Sequence, residues 1–388
     1  MERHGFTSEP LLWFVDYGCR DDFGTTLETT SAWAAFHYFC SRETENALVW
    51  QDGLGAIVDA MAKQLRSGGR TGHNQTRRRP AVEIRTSSMV HRITQQPSLG
   101  RAIVEYADFT VNASQILQAR HVIFAAPHHT ARHIVSGYAS KEIEDSAIEC
   151  GAEGCLNFSY APWCVANVFL REPPPLPWAW ENMVYDLASI RAEKNSGQKS
   201  AVGVGALGYV IAPSEIRKWS SWHLQWPITW IASPLAWLTG ITPIQAHARI
   251  RSIFCRVPFS TTLTAYFMFP LPTDRNAFPP SHWIDRDWHE WRTEILDSLS
   301  VAIPHIGQLA YRLDIRVLGH AMSRPTPGFL WGSRSPRKLA RRRYGVVSFA
   351  HSDNSGFSIF EEAVSQGLRA ANEVLGHFAQ APPSSGAI

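Results

Sequence analysis

Cysteine is scarce and unpatterned in this 388-residue sequence: Cys19, Cys40, Cys150, Cys155, Cys164 and Cys255 form no Cys-x-x-Cys pair, and no histidine stands at a matching spacing. A zinc ribbon or finger is thereby excluded, and a disulfide framework has no support. Charge of one sign is not in surplus either, because 37 Lys and Arg against 34 Asp and Glu leave a formal net charge of +3. The basic runs Arg77-Arg78-Arg79 and Arg337-Lys338 with Arg341-Arg342-Arg343 lack interleaved aromatics and stand beside loop formers. They read as solvated loops, not as a nucleic-acid surface. No basic segment followed by an apolar run opens the sequence at Met1-Glu2-Arg3-His4-Gly5, so no secretory signal is visible and a cytoplasmic location is the default expectation.

A long uninterrupted apolar run is missing as well. The stretch from Trp219 to Ala246 has no Lys, Arg, Asp or Glu, and Trp219, Trp222, Trp226, Trp230 and Trp237 crowd it. Pro227, Pro234 and Pro243, with Gln225, Thr229, Ser233 and Thr242, argue against a transmembrane span, which needs roughly twenty consecutive apolar residues. The region of about 213 to 260 is left as an interfacial or lid insertion, or an insertion without function. A usable glycine-rich phosphate loop is the last absence. Gly203-Val204-Gly205-Ala206-Leu207-Gly208 matches the Gly-x-Gly-x-x-Gly pattern in letters, but it follows a polar run from Arg191 to Lys199 and leads into Tyr209-Val210-Ile211-Ala212, a strand where a helix is required.

What remains is a globular composition, 45% hydrophobic and 18% charged, enough for one large or two medium cores. Leu54, Val58, Met61, Ala62 and Leu65 repeat on one helical face, ending at Ser67-Gly68-Gly69. Val82 and Ile84, then Ala102, Val104 and Tyr106, alternate with polar residues and predict a strand meander over about 82 to 112. Val122-Ile123-Phe124-Ala125-Ala126, closed by Pro127, has the pattern of a strand buried on both faces. Trp163 to Leu170, Thr261 to Met268 and Tyr311 to Leu318 read as further strands, and Pro173-Pro174-Pro175 as a turn. Trp288, Trp291, Ile295, Leu296 and Leu299 make a helical core stripe, while the last residues from Ala379 to Ile388 read as a loose tail.

The most informative segment runs from Val346 to Ala363: a short apolar strand, the loop Ala350-His351-Ser352-Asp353-Asn354-Ser355-Gly356, and a helix. Ser358 followed by Glu361 is a capping box, so the helix is expected to start at Ser358, with Ile359, Ala363, Gly367, Ala370 and Val374 at helical spacing. The free N–H groups of its first turn suit an electron-rich carbonyl or a phosphate, and Asp353 could accept from a ribityl or ribose hydroxyl. Covering a sheet edge is the other reading of the same strand–loop–helix.

This segment resembles the final flavin-contacting motif of the FAD-dependent amine-oxidase-like oxidoreductases. Other segments look like the same family in the same order: Leu12 to Tyr17 with Arg20 to Thr25, Ser31 to Phe39, Trp50 to Gly55, and Gly319-His320-Ala321-Met322 with Arg324-Pro325-Thr326-Pro327-Gly328. The resemblance spans most of the sequence outside about 213 to 260. It implies an α/β class with an incomplete glutathione-reductase-like FAD-binding domain and an α+β substrate domain built on an antiparallel sheet. The expected division is a substrate-domain helical part over 1–50, an FAD-binding segment over 51–135, the substrate domain over 136–318, a C-terminal FAD-binding segment over 319–378, and a tail. The family's first βαβ unit, which takes the FAD pyrophosphate, has no counterpart in this sequence, and losing it implies a loss of several kcal/mol of FAD affinity.

The implied cofactor contacts are Val90, whose backbone would meet the adenine, Ala126 and Pro127 at the strand end, Asp353, and the helix start Ser358, Ile359 and Phe360. Flavin oxidases leave hydride transfer to the cofactor, so few side chains are diagnostic. His320 and His351 are the candidates for influencing a substrate proton, with satisfied structural histidines as the other reading. His128-His129 reads as a loop feature without an acidic partner at metal-ligand spacing, and no lysine is assigned to the water-holding role common in the family. Trp178, Trp180, Tyr185 and Tyr209 either frame an amine or alkyl substrate or belong to an aromatic core. The expected function is oxidation of a small organic substrate, an amine or a relative, through flavin reduction. The alternative is a non-catalytic remnant or partner subunit that does not bind FAD by itself.

Overall fold

The computed structural model describes residues 4–41, 50, 53–67, 82–138, 158–172, 174, 179–185, 207–211, 261–268, 285–332 and 335–380. The Trp-rich stretch of 213–260, Pro173 and Pro175, Trp178 and residues 381–388 lie outside them. In chain order the elements begin with helices α1 (Glu9–Phe23), α2 (Ala32–Ser41) and α3 (Gly55–Arg66), strands β1 (Ser88–Gln96), β2 (Arg101–Asp108), β3 (Ala113–Ala119) and β4 (Val122–Phe124), and helix α4 (His128–Ile134). Strands β5 (Tyr160–Leu170), β6 (Glu181–Met183), β7 (Gly208–Ile211) and β8 (Thr261–Met268) follow. Helices α5 (Trp288–Ser300) and α6 (Ile306–Leu309), strand β9 (Ala310–Ser323), helix α7 (Pro336–Ala340), strand β10 (Val347–Phe349) and helix α8 (Phe360–Gln380) complete them. The fold is mixed α/β. It divides into two compact units, Met1–Cys40 with Ser159–Pro327 (unit 1) and Ser41–Phe158 with Gly328–Ile388 (unit 2).

Unit 1 is built on an antiparallel five-stranded sheet in the order β6-β7-β8-β5-β9. Successive side chains of a strand point to opposite faces, and the central strand β5 is buried on both. Cys164, Ala166, Val168 and Leu170 join Leu263, Ala265 and Phe267 of β8 in a core with Trp291, Ile295, Leu296 and Leu299 of α5. Ala161 and Trp163, on the alternate positions, cluster with Tyr266 and Met268 of β8 and Tyr17 of α1. Helix α5 starts where its cap dictates: the Asp287 carboxylate accepts from the Glu290 N–H at 2.8 Å, and the Glu290 carboxylate accepts from the Asp287 N–H at 3.3 Å. Its predicted stripe is buried except for Trp288, which is exposed. Strand β8 coincides with its predicted span, while β9 runs on to Ser323, so Gly319-His320-Ala321-Met322 lies within the strand.

In unit 2, β1-β2-β3 form an antiparallel sheet, with Ala102, Val104 and Tyr106 of β2 buried in the predicted alternation. Val82 and Ile84 are not in it. Ser87 takes a left-handed backbone (φ 53°), which ends any extended run before it, so the meander spans 88–119 and not 82–112. Among the described residues β4 pairs only with β10, in parallel, and Ile123 is 42% exposed, so the expectation of a strand buried on both faces fails there. Helix α3 forms as predicted, but Leu54, Val58, Met61 and Leu65 are all exposed. Helix α8 begins at Phe360 and not at Ser358. Ala363 donates its N–H to the Ile359 carbonyl at 3.2 Å, placing Ile359 at the cap. The preceding turn, with Gly356 at φ 82° and Phe357 buried, delays the entry, and the buried face carries Gln366 and Ala370 while Ile359 and Ala363 are exposed. The helix continues to Gln380, past the predicted start of the tail.

Candidate functional site

Because β4 and β10 are parallel and in register from Val122↔Val347 to Phe124↔Phe349, their C-terminal ends share one edge. In open α/β sheets that edge is where ligands bind. The Ala350 N–H donates to the Phe124 carbonyl at 2.8 Å, carrying the pairing into the loops that follow. Asp353, 3% exposed, joins those loops: one carboxylate oxygen accepts from the His128 N–H at 2.9 Å, and the other lies 3.1 Å from His351 Nδ1. That Nδ1 also accepts from the Asp353 N–H at 3.2 Å. The His128 ring sits in an aromatic setting, 3.2 Å from the Tyr138 hydroxyl through Nε2 and stacked on Phe158 at 4.7 Å.

Asn354 is the feature of this loop that sequence reasoning passed over. It is fully buried, its carbonyl accepts from Arg341 Nε at 2.9 Å, and neither atom of its side-chain amide has a hydrogen-bond partner. An unpaired buried amide costs about 1–3 kcal/mol, so a polar group brought to this loop would find an unmet donor and acceptor. Burial, with Arg337 and Arg369 nearby, holds the Arg341 guanidinium down at about 10.

Of the sequence candidates, Ala126 and Pro127 are brought to Asp353 through the adjoining His128 N–H, and His351 contacts Asp353 directly. Ser358 is half-buried, Ile359 exposed and Phe360 half-buried, just before and at the start of α8. Val90 lies on β1 beside a bulge between Val90 and Arg92, where the ladder to β2 shifts register. His320 belongs to unit 1, exposed on β9 and edge-on to Tyr160 at 5.5 Å. Among the described residues no group of His, Cys, Asp and Glu is placed to hold a metal ion, and no helix is long and apolar enough to cross a membrane.

The model of the family described as flavin containing amine oxidoreductase matches residues 7–190. Over these residues, a little under half of the chain, the sequence is similar to that family. No curated protein matches the sequence. Among solved structures, cyclohexylamine oxidase from Brevibacterium oxydans IH-35A is similar at 14% identity and TM-score 0.49, over 97% of this chain and 66% of that one. A redesigned putrescine oxidase is similar at 12% identity and TM-score 0.49, over 95% and 65% of the two chains. A putative protoporphyrinogen oxidase from Exiguobacterium sp. 255-15 is similar at 12% identity and TM-score 0.46, over 89% and 56%. The chain thus spans less than two thirds of the length of each.

The amine oxidoreductase match takes in α1 to β6, and within unit 1 it covers two members of a buried phenol–carboxylate cluster. The Tyr17 hydroxyl donates to Glu181 Oε1 at 3.0 Å and lies 3.2 Å from the Tyr266 hydroxyl. Burial raises both phenols well above their ordinary range, and Asp21 adds to it. Trp13 stacks on Tyr17 at 5.5 Å and meets Tyr185 edge-on at 4.7 Å, and Trp163 stacks on Tyr266 at 6.0 Å. Of the predicted aromatic frame, Tyr209 is core and Trp180 is exposed. Tyr17 and Glu181 carry no sequence signal of their partnership, because they lie 164 positions apart.

Proposed function

We propose that this chain acts in an FAD-dependent oxidoreductase of the amine-oxidase-like type, oxidising a small organic substrate, an amine or a relative, with the cytoplasm as its default location. The observation that carries the reading is the family match over residues 7–190. Unit 2 is the cofactor unit in this reading and unit 1 the substrate unit. FAD, when bound, supplies the electron acceptor for substrate oxidation. The chain's own residues would hold it: the orphan amide of Asn354 and the Asp353 loop would bind its polar chain, Ala126 and Pro127 would line the strand end, and Ser358, Ile359 and Phe360, at the start of α8, would offer backbone N–H groups to the ring. The backbone of Val90, paired with Tyr106 beside the bulge, would meet the adenine in this reading. In this reading His351, beside Asp353, or His320 would influence a substrate proton.

A second reading is a partner subunit that takes no flavin by itself. Asp353 supports it, since one of its carboxylate oxygens is already taken by the His128 N–H. Absorbance of the purified chain between 350 and 500 nm, with and without added FAD, decides. A stoichiometric two-band flavin spectrum is the expected result, together with a rise in the melting temperature as FAD is added. A colourless chain whose melting temperature ignores FAD overturns the first reading and leaves the second.

A further inference from the structure

Unit 1 contains a guanidinium that its fold does not neutralise. Arg324 follows β9, and burial alone lowers its proton affinity, with no carboxylate acting on it. Its Nε donates to the Gly24 carbonyl at 3.2 Å, and its backbone N–H donates to the Ser159 carbonyl at 3.0 Å. Among the described residues it has no ion-pair partner, and its two Nη groups have no hydrogen-bond acceptor. Gly24 is the C-cap of α1, and a helix C-terminus offers roughly half a negative charge. Arg324 is half-buried, and its two Nη groups remain available to a ligand.

A second donor lies against the same glycine. Trp163 is 8% exposed, its indole N–H is buried without an acceptor, and a Cβ added at Gly24 would lie 3.5 Å from its Nε1. Helix capping accounts for the Arg324 Nε bond but not for the stranded indole. The hydroxyls of Thr25 and Thr30 bond each other at 2.5 Å, and neither accepts from the indole. Two donors set against one glycine, one of them charged, beside the Trp163–Tyr266 aromatic stack, suit a planar monoanion with an apolar body. A dianionic phosphate would bring one charge more than the single guanidinium can meet.

We propose that Arg324 and the Trp163 indole N–H form an oxyanion subsite in unit 1 that takes the carboxylate of a substrate. The inference deepens the reading of unit 1 as the substrate unit and rests on it. It is tested on the full chain without FAD by calorimetric titration with hexanoate and with hexylamine, matched in length and opposite in head group. Hexanoate is expected to bind and hexylamine not to. Arg324→Gln and Trp163→Phe should each weaken hexanoate about tenfold or more, as loss of a hydrogen bond to a charged group does, and Arg324→Lys less than Arg324→Gln. Equal affinity for the two probes, no hexanoate binding, or unchanged hexanoate affinity in both variants overturns the proposal. If Arg324→Gln fails to fold, Trp163→Phe, which keeps an aromatic ring and removes the N–H, decides alone. Hexanoate binding by a chain that takes no FAD keeps the subsite and removes the oxidoreductase reading, whereas FAD uptake without hexanoate binding does the reverse.

Discussion

At the scale of single residues, Gly24 has little freedom to change. Its backbone is left-handed at φ 57°, and a Cβ there would come within 2.3 Å of the Ala161 Cβ on β5. Gly24→Ala combines left-handed strain with overpacking, so urea denaturation should show a loss of about 2–4 kcal/mol. The motif around Arg20 to Thr25 is visible in the sequence, but the reason for its glycine is not, because Ala161 lies far along the chain. Asp353 shows the same division. An acidic residue in a strand–loop–helix is legible, whereas its two protein partners, His128 and His351, and the orphaned amide of Asn354 beside it, depend on how two loops meet. A guanidinium without an ion-pair partner and an unpaired buried N–H leave no periodic trace, which is why Arg324 and the Trp163 indole escaped a reading based on pattern.

At the scale of elements, legibility followed how local the determinant was. Helix α5 is legible because its stripe and its packing against β5 and β8 agree. Removing its capping box by Asp287→Ala should cost about 1 kcal/mol in chemical denaturation, with no change in the folded-state spectrum of the core aromatics. Strands β5 and β8 are legible because central strands repeat branched and aromatic residues on both faces. Misreadings arose where a single backbone conformation intervened, as Ser87 did before β1 and the Gly356 turn did before α8. They also arose where an apolar stripe forms without being buried, as on α3, since periodicity fixes a face but not what covers it.

At the scale of the whole molecule, stability should depend on alkaline pH through Cys164. It is fully buried on β5, and burial, helped by Glu294, pushes its thiol up from 9.0 to about 12. The folded chain holds this proton more tightly than the unfolded chain, so the contribution is complete below about pH 9 and is lost as pH rises through about 12. Tyr17 and Tyr266, also raised by burial, act in the same direction above about pH 10. Arg341, held down at about 10, acts in the opposite direction. The informative measurement is therefore a difference: between pH 9 and 11 the melting temperature of Cys164→Ala should fall less steeply than that of the parent chain, and parallel slopes would remove the assignment.

The bond between Arg324 and Gly24 joins residues 300 positions apart, and β5, the strand against which α1 packs, is itself separated from α1 by the whole of the intervening unit 2 segment. At roughly 5–20 residues per second, a ribosome delivers Arg324 about 15–60 s after Gly24. During that interval α1 presents Tyr17 and Trp13 without the sheet that covers them. The same contact that orders the end of α1 in the finished protein thus sets a waiting time during its birth, in which the nascent chain is exposed to misassociation.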